Sequence, residues 1–235
     1  MKRNISILLT FLMIIFTCGV ASATDVTFGD DTIFWTGWGN ATTDDFDDTI
    51  GIPNFTGGTA SVDGSGFLNS IQFDYLGSSS SLRPGDLFID SDADLDWDYF
   101  VDLDENRAAG NYNLYSISLA LDSATGYLMS YYGSNIPASY REDHPIAVDE
   151  NSVSMSLVGP VSFSGWNNGD NSSTFSGLDI LLGDQFAIGF AVQCANDVVY
   201  ETMKNPVPEP TTILLSGLGL LGMGTYLRRR KTKKA

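Results

Sequence analysis

The 235 residues, 43% of them hydrophobic and 12% aromatic, suffice for one medium domain with a buried core and exclude a disordered chain. The net charge of −17 conceals a stronger asymmetry, because residues 24–210 hold all 29 acids and only four bases, Arg83, Arg107, Arg141 and Lys204, a balance of −25. A field of that sign repels nucleic acid and anionic lipid head groups and attracts cations, so the body has no nucleic-acid partner.

The first predicted element is a secretory signal peptide over residues 1–23. Lys2 and Arg3 form its charged start, residues 5–16 its apolar core, and Ala21 and Ala23 flank Ser22 in a small-residue cleavage site. The secretion machinery is therefore an expected partner, with cleavage after Ala23. Loss of the leader removes Cys18 and leaves Cys194 as the sole cysteine, so the exported chain has no internal disulfide framework.

An acidic domain is expected over residues 24–204. Short apolar or alternating runs there are separated by Gly, Asn, Asp and Ser, which is how strands and turns alternate in a sequence. In chain order the predicted strands are VTF, TIFWTGW, FLNSIQFDYL, DLFID, WDYFVDL, YNLYSISLAL, YLMSYY, IAVD, SVSMSLVG, LDILL and FAIGFAVQ. A further strand, VVYETM, follows a turn at Ala195, Asn196 and Asp197, where Asn and Asp tolerate left-handed backbone. Tyr115, Ile117, Leu119 and Leu121 alternate with Ser116, Ser118 and Ala120, as in a strand with one buried face. The expected fold class is all-β, a single antiparallel β-sandwich of jelly-roll or lectin-like type, with no repeat of fixed period.

The densest chemical signal is DLFIDSDADLDWDYFVDLDEN, where Asp90, Asp92, Asp94, Asp96 and Asp98 occupy alternate positions. Carboxylates on one face of a strand repel one another unless solvated or neutralised, and calcium, which accepts six to eight oxygen ligands, suits an exported protein. Asp94, Asp96, Asp98, Asp102 and Glu105 follow EF-hand spacing, but Tyr99 stands where that loop requires glycine. Two readings remain open: a calcium loop formed by Asp90, Asp92, Asp94 and Asp96, or a strand that buries Trp97, Tyr99, Val101 and Leu103 and leaves Asp96, Asp98, Asp102 and Asp104 in water. In FWTGWG, Trp35 and Trp38 beside Gly37 and Gly39 are candidate stacking platforms for a glycan, with core packing as the alternative use. His144 is the only histidine, no serine lies in a G-x-S-x-G elbow, and Cys194 has no base near it in sequence.

The chain ends in NPVPEPTTILLSGLGLLGMGTYLRRRKTKKA. Pro206, Pro208 and Pro210 hold the chain extended. Residues 211–227 carry no charge and as a helix would reach about 25 Å, short for a hydrocarbon core of about 30 Å. Arg228, Arg229, Arg230 and Lys231 form a basic stop that the positive-inside rule keeps in the cytoplasm. A membrane is thus the partner of the precursor through a transmembrane helix. These three parts in this order resemble the PEP-CTERM sorting signal, and CANDVV at 194–199 resembles a segment found shortly before such tails. The resemblance implies a sorting tail over residues 205–235, Pro208, Glu209 and Pro210 as the recognition motif, and an exosortase as the processing partner, in bacteria that make exopolysaccharide.

Together these readings predict a non-enzymatic protein passing through the inner membrane to the cell surface or extracellular matrix, in a structural or adhesive role with exopolysaccharide. The alternatives are a carbohydrate-binding module using Trp35 and Trp38 and a secreted glycosidase using a carboxylate pair.

Overall fold

Alternating apolar positions and turn-forming residues become antiparallel strands in the computed structural model, which describes residues 23–39, 49, 52–77, 83–103, 110–130, 144–166, 169–207 and 217. The strands are β1 (Thr24–Phe28), β2 (Asn54–Val62), β3 (Phe67–Leu76), β4 (Pro84–Asp90), β5 (Asp96–Asp102), β6 (Gly110–Ala120), β7 (Tyr127–Met129), β8 (Pro145–Val148), β9 (Ser156–Gly165), β10 (Ser172–Leu181), β11 (Gln185–Val192) and β12 (Val198–Lys204). Ten of them pair in the order β1-β2-β3-β10-β9-β6-β5-β4-β11-β12, and β7 and β8 form a separate hairpin. The all-β, antiparallel expectation holds, but a sandwich would divide the strands between two sheets. Here one sheet curls until β1 and β12, its two ends, come into contact as a nearly closed barrel. Bulges supply the curl: the register slips at Phe55/Gly57, Ser61/Val62, Trp97/Tyr99, Leu114/Tyr115, Ser176/Ile180 and Phe190/Val192. Each slip bends its strand and deepens the twist.

The inward faces of the sheet fill the interior with aromatic rings. Phe73 stacks on Phe190 at 4.6 Å, Phe163 meets Phe175 at 4.6 Å, and Phe55 packs edge-on to Phe190 at 5.5 Å. A second core lies outside the sheet, where Trp35, Tyr127, Ile146, Ala147 and Val148 cover Phe88, Trp97, Phe100, Ala191 and Val198. This covering explains why β4 is buried along its whole length, with Leu87 and Ile89 facing the interior core and Phe88 the outer one. The slip between Trp97 and Tyr99 likewise sends Trp97 outward and Val101 and Leu103 inward, so they do not share the single buried face that strict alternation predicts.

Two elements depart from the sequence reading. TIFWTGW is not a strand: its backbone bends and turns, with the Trp38 N–H donating to the Trp35 carbonyl at 3.0 Å. It adheres to β12 through side chains, Thr32 Oγ1 donating to the Tyr200 carbonyl at 2.8 Å and Trp35 Nε1 to the Val199 carbonyl at 3.1 Å. Conversely, NFTGGTASV forms β2, where no strand is predicted from the sequence. A Cβ on Gly58 would come within 2.0 Å of the Gln72 carbonyl oxygen and 2.5 Å of the Phe28 ring, so the glycine is needed for close strand approach.

Near the same seam, burial and the neighbouring charge of Asp31 hold the Glu201 carboxyl above its ordinary value, opposed by a hydrogen bond from the Asp31 N–H. The folded chain therefore takes up this proton at a higher pH than the unfolded chain. Folding stability gains from Glu201 as pH falls from neutral through the folded value, and the gain is complete below the unfolded one. Glu201→Gln is expected to flatten the rise in melting temperature between pH 7 and pH 5. A rise equal to the parent's would refute the assignment.

Candidate functional site

The hairpin between β4 and β5 gathers the acidic run around Asp90, whose side chain has no accessible surface. Its Oδ1 accepts the N–H of Ala93 at 2.7 Å and those of Asp92 and Asp94 at 3.3 Å, while Oδ2 accepts the Leu95 N–H at 3.0 Å. Ala93 and Leu95 are left-handed, at φ 59° and 75°, and the loop turns back on its own carboxylate. Asp98 Oδ2 accepts from both the N–H and the hydroxyl of Ser91, and Asp94 Oδ1 accepts the Asp96 N–H at 3.0 Å.

This wrapping brings one oxygen each of Asp90, Asp92 and Asp98 within 4.8 Å of one another, the group among the described residues placed to share a cation. Asp94 and Asp96, expected as ligands with Asp90 and Asp92, are not in that group. Strict alternation put Asp98 on a solvated strand face, whereas the turn folds it back over Ser91. Burial holds the Asp90 carboxyl above its ordinary value against the four N–H bonds, and loss of solvent, then the charges of Asp94 and Asp98, raises that of Asp92. Neutralising such a group with a hard, oxygen-seeking cation relieves the repulsion. If calcium does so, the melting temperature at millimolar calcium exceeds that in chelator, and Asp92→Asn abolishes the difference. Equal temperatures in the parent leave the loop to its own hydrogen bonds.

Of the two tryptophans expected as a glycan platform, Trp35 is not at the surface. Trp35 has no accessible area, and its ring is packed edge-on to Phe88 at 5.0 Å, Trp97 at 5.4 Å and His144 at 5.2 Å. Gly189 makes room for this pair of indoles, since a Cβ there would lie 2.7 Å from Trp97 and 3.0 Å from Trp35. Trp38 is half-buried, donates Nε1 to the Leu121 carbonyl at 2.6 Å and packs on Tyr127. Core packing, the alternative use of these aromatics, is the one found for Trp35. His144 is buried beneath Trp35, and the Cys194 thiol donates to Asn196 Oδ1 at 3.4 Å within the β11–β12 turn.

Two buried aspartates escape any reading by motif. Asp86 accepts the Leu103 N–H at 3.1 Å and the Val148 N–H at 3.0 Å, tying the β7–β8 hairpin to the outside of the barrel. Asp197, in the expected turn after β11, reaches across the seam. Its Oδ2 accepts the Phe55 N–H of β2 at 2.5 Å and the Thr49 hydroxyl at 3.3 Å, and its Oδ1 accepts the Val198 N–H at 2.9 Å. Neighbouring Asn196 donates Nδ2 to the Pro53 carbonyl at 3.4 Å. A buried carboxylate accepting backbone N–H groups looks in sequence like any other aspartate, and only the Ala-Asn-Asp turn chemistry hinted at this corner.

The chain leaves the barrel beside the acidic hairpin. Gly183, between β10 and β11, donates its N–H to the Ser91 carbonyl at 2.8 Å and accepts Asn205 Nδ2 at 2.9 Å. The Asn205 N–H donates to the Asp184 carbonyl at 2.9 Å, and its Oδ1 accepts the Val207 N–H at 3.0 Å. Val207 packs on the interior core, one residue before Pro208. From this point onward the sequence matches a family model described as the PEP-CTERM protein-sorting motif, over residues 206–231. The chain carries a PEP-CTERM sorting motif. Such a motif implies an exported protein that is anchored in the membrane before an exosortase processes it. No curated protein and no solved structure matches the chain.

The PEP-CTERM residues Pro208, Glu209 and Pro210, the basic stop Arg228, Arg229, Arg230 and Lys231, and Ala21 of the leader lie outside the described residues. So does the apolar run 211–227 apart from residue 217, and no helix among the described residues is long and apolar enough to cross a membrane. Ala23 is exposed and directly precedes β1.

Proposed function

We propose that the barrel is the non-enzymatic cargo of this sorting tail, released by an exosortase to the cell surface or matrix, where it serves a structural or adhesive role alongside exopolysaccharide. The observation that carries this reading is the match over residues 206–231, which begins just after the last strand ends at Lys204. The use of the body's polar groups supports it. Asp86, Asp90 and Asp197 all hold backbone N–H groups, an arrangement that serves rigidity. A strongly acidic, nearly closed barrel also repels copies of itself and anionic surfaces, which keeps an exported protein dispersed.

Glu209→Ala tests the reading, because it leaves the apolar run and the basic stop intact and so leaves insertion and topology unchanged. In a host with a matching exosortase, the parent is expected to lose its basic end while the variant accumulates as a longer membrane-bound precursor. Intact mass decides the matter. Mature parent protein that still carries Lys234 and Ala235 would reduce the tail to a plain anchor.

A further inference from the structure

The described body does not stop at β12. Residues 205–207 are held to the turn between β10 and β11: Asn205 N–H to the Asp184 carbonyl, Asn205 Nδ2 to the Gly183 carbonyl at 2.9 Å and the Leu182 carbonyl at 3.4 Å, and the Val207 N–H to Asn205 Oδ1 at 3.0 Å. Val207 adds its side chain to the interior core. The first two residues of the matched sorting segment, Pro206 and Val207, therefore belong to the folded barrel.

We propose that Asn205 is a positioning residue for processing: its clip holds the amino side of the sorting motif against the body, and the clip must open before the motif can be gripped. This inference rests on the reading of the tail as an exosortase substrate. An enzyme that takes a peptide as an added strand binds its main-chain groups and its alternate side chains, so residues next to the recognition motif must be free to join that strand. On the amino side here, the Val207 N–H is committed to Asn205 and the Val207 side chain to the core. Reach is short as well. Only residues 208–210 separate the clip from the apolar run, about 10 Å when fully extended, so the body is close to the membrane surface while the clip is shut. Chain ends open locally at a small fraction of the global unfolding free energy, so clip opening occurs with the barrel intact.

The experiment follows conversion of the full-length precursor in a host with a matching exosortase, by pulse labelling and intact mass. Asn205→Ala removes the Nδ2 donor and the Oδ1 acceptor and is expected to speed conversion about tenfold. At 1.4 kcal/mol per decade that lies within the net worth of the three side-chain hydrogen bonds removed, one of them long at 3.4 Å. A four-residue Gly-Ser insertion between Val207 and Pro208 keeps the clip and frees the motif, and is expected to speed conversion at least as much. Trp35→Ala, which weakens the barrel at the other end of β12, controls for general loosening and is expected to leave the rate of clip-limited conversion within about twofold. Unchanged or slower conversion in Asn205→Ala, or equal acceleration in Trp35→Ala, overturns the inference while the sorting reading stands. A parent that is never converted overturns both.

Discussion

Asp197→Ala is expected to lower the stability of the body by about 3–5 kcal/mol. The alanine leaves the buried Phe55 and Val198 N–H groups without their acceptor, and each orphaned buried donor costs about 1–3 kcal/mol. The loss falls at the seam, where the turn before β12 is fastened to β2 and where the sheet does not close through a continuous ladder. At about 2–4 °C per kcal/mol for a domain of this size, the melting temperature is expected to fall by about 6–20 °C. Asp197→Asn retains one acceptor oxygen and is expected to lose less. Chemical denaturation of both variants checks the order, and an alanine variant within about 1 kcal/mol of the parent would show that the seam is held by packing alone.

Trp35→Ala is expected to cost a similar 3–5 kcal/mol through a different cause. It empties the centre of the outer core, where the indole touches Phe88, Trp97, Tyr127 and His144, and it removes the donor to the Val199 carbonyl. Because that core fastens the β7–β8 hairpin to the barrel, hydrogen exchange at Ile146, Ala147 and Val148 is expected to accelerate before that of the interior strands β3 and β11. Uniform acceleration across both cores would mean that the two layers unfold as one.

The fate of Trp35 shows where sequence reasoning stopped. FWTGWG offered two tryptophans beside glycines, and the pattern fits a sugar platform as well as it fits a lid. What decides between them is whether a facing surface exists, and that surface is built from Phe88 on β4, Trp97 on β5 and Ala191 on β11, far apart in the chain. The acidic hairpin behaves alike. Period-two spacing places alternate aspartates on one face only while the chain stays extended. At Asp90 the strand ends, the left-handed turn at Ala93 and Leu95 folds the run over, and Asp98 joins Asp90 and Asp92 in place of Asp94 and Asp96.

The sequence by itself determined what depends on neighbours along the chain: β3 at Phe67–Leu76, whose burial largely alternates, the turn at 195–197, the acidic character of the body, and the sorting motif, which is one contiguous run of residues. The tertiary structure alone decided what depends on pairing between distant segments. Whether ten strands form two sheets or one curled sheet is set by register slips that no local pattern encodes, since the same apolar residue serves an inner or an outer face according to which side of a bulge it stands on. The roles of Asp86, Asp197 and Asn205 follow from the same cause: a side chain becomes a fastening only when folding brings to it a backbone group from another strand.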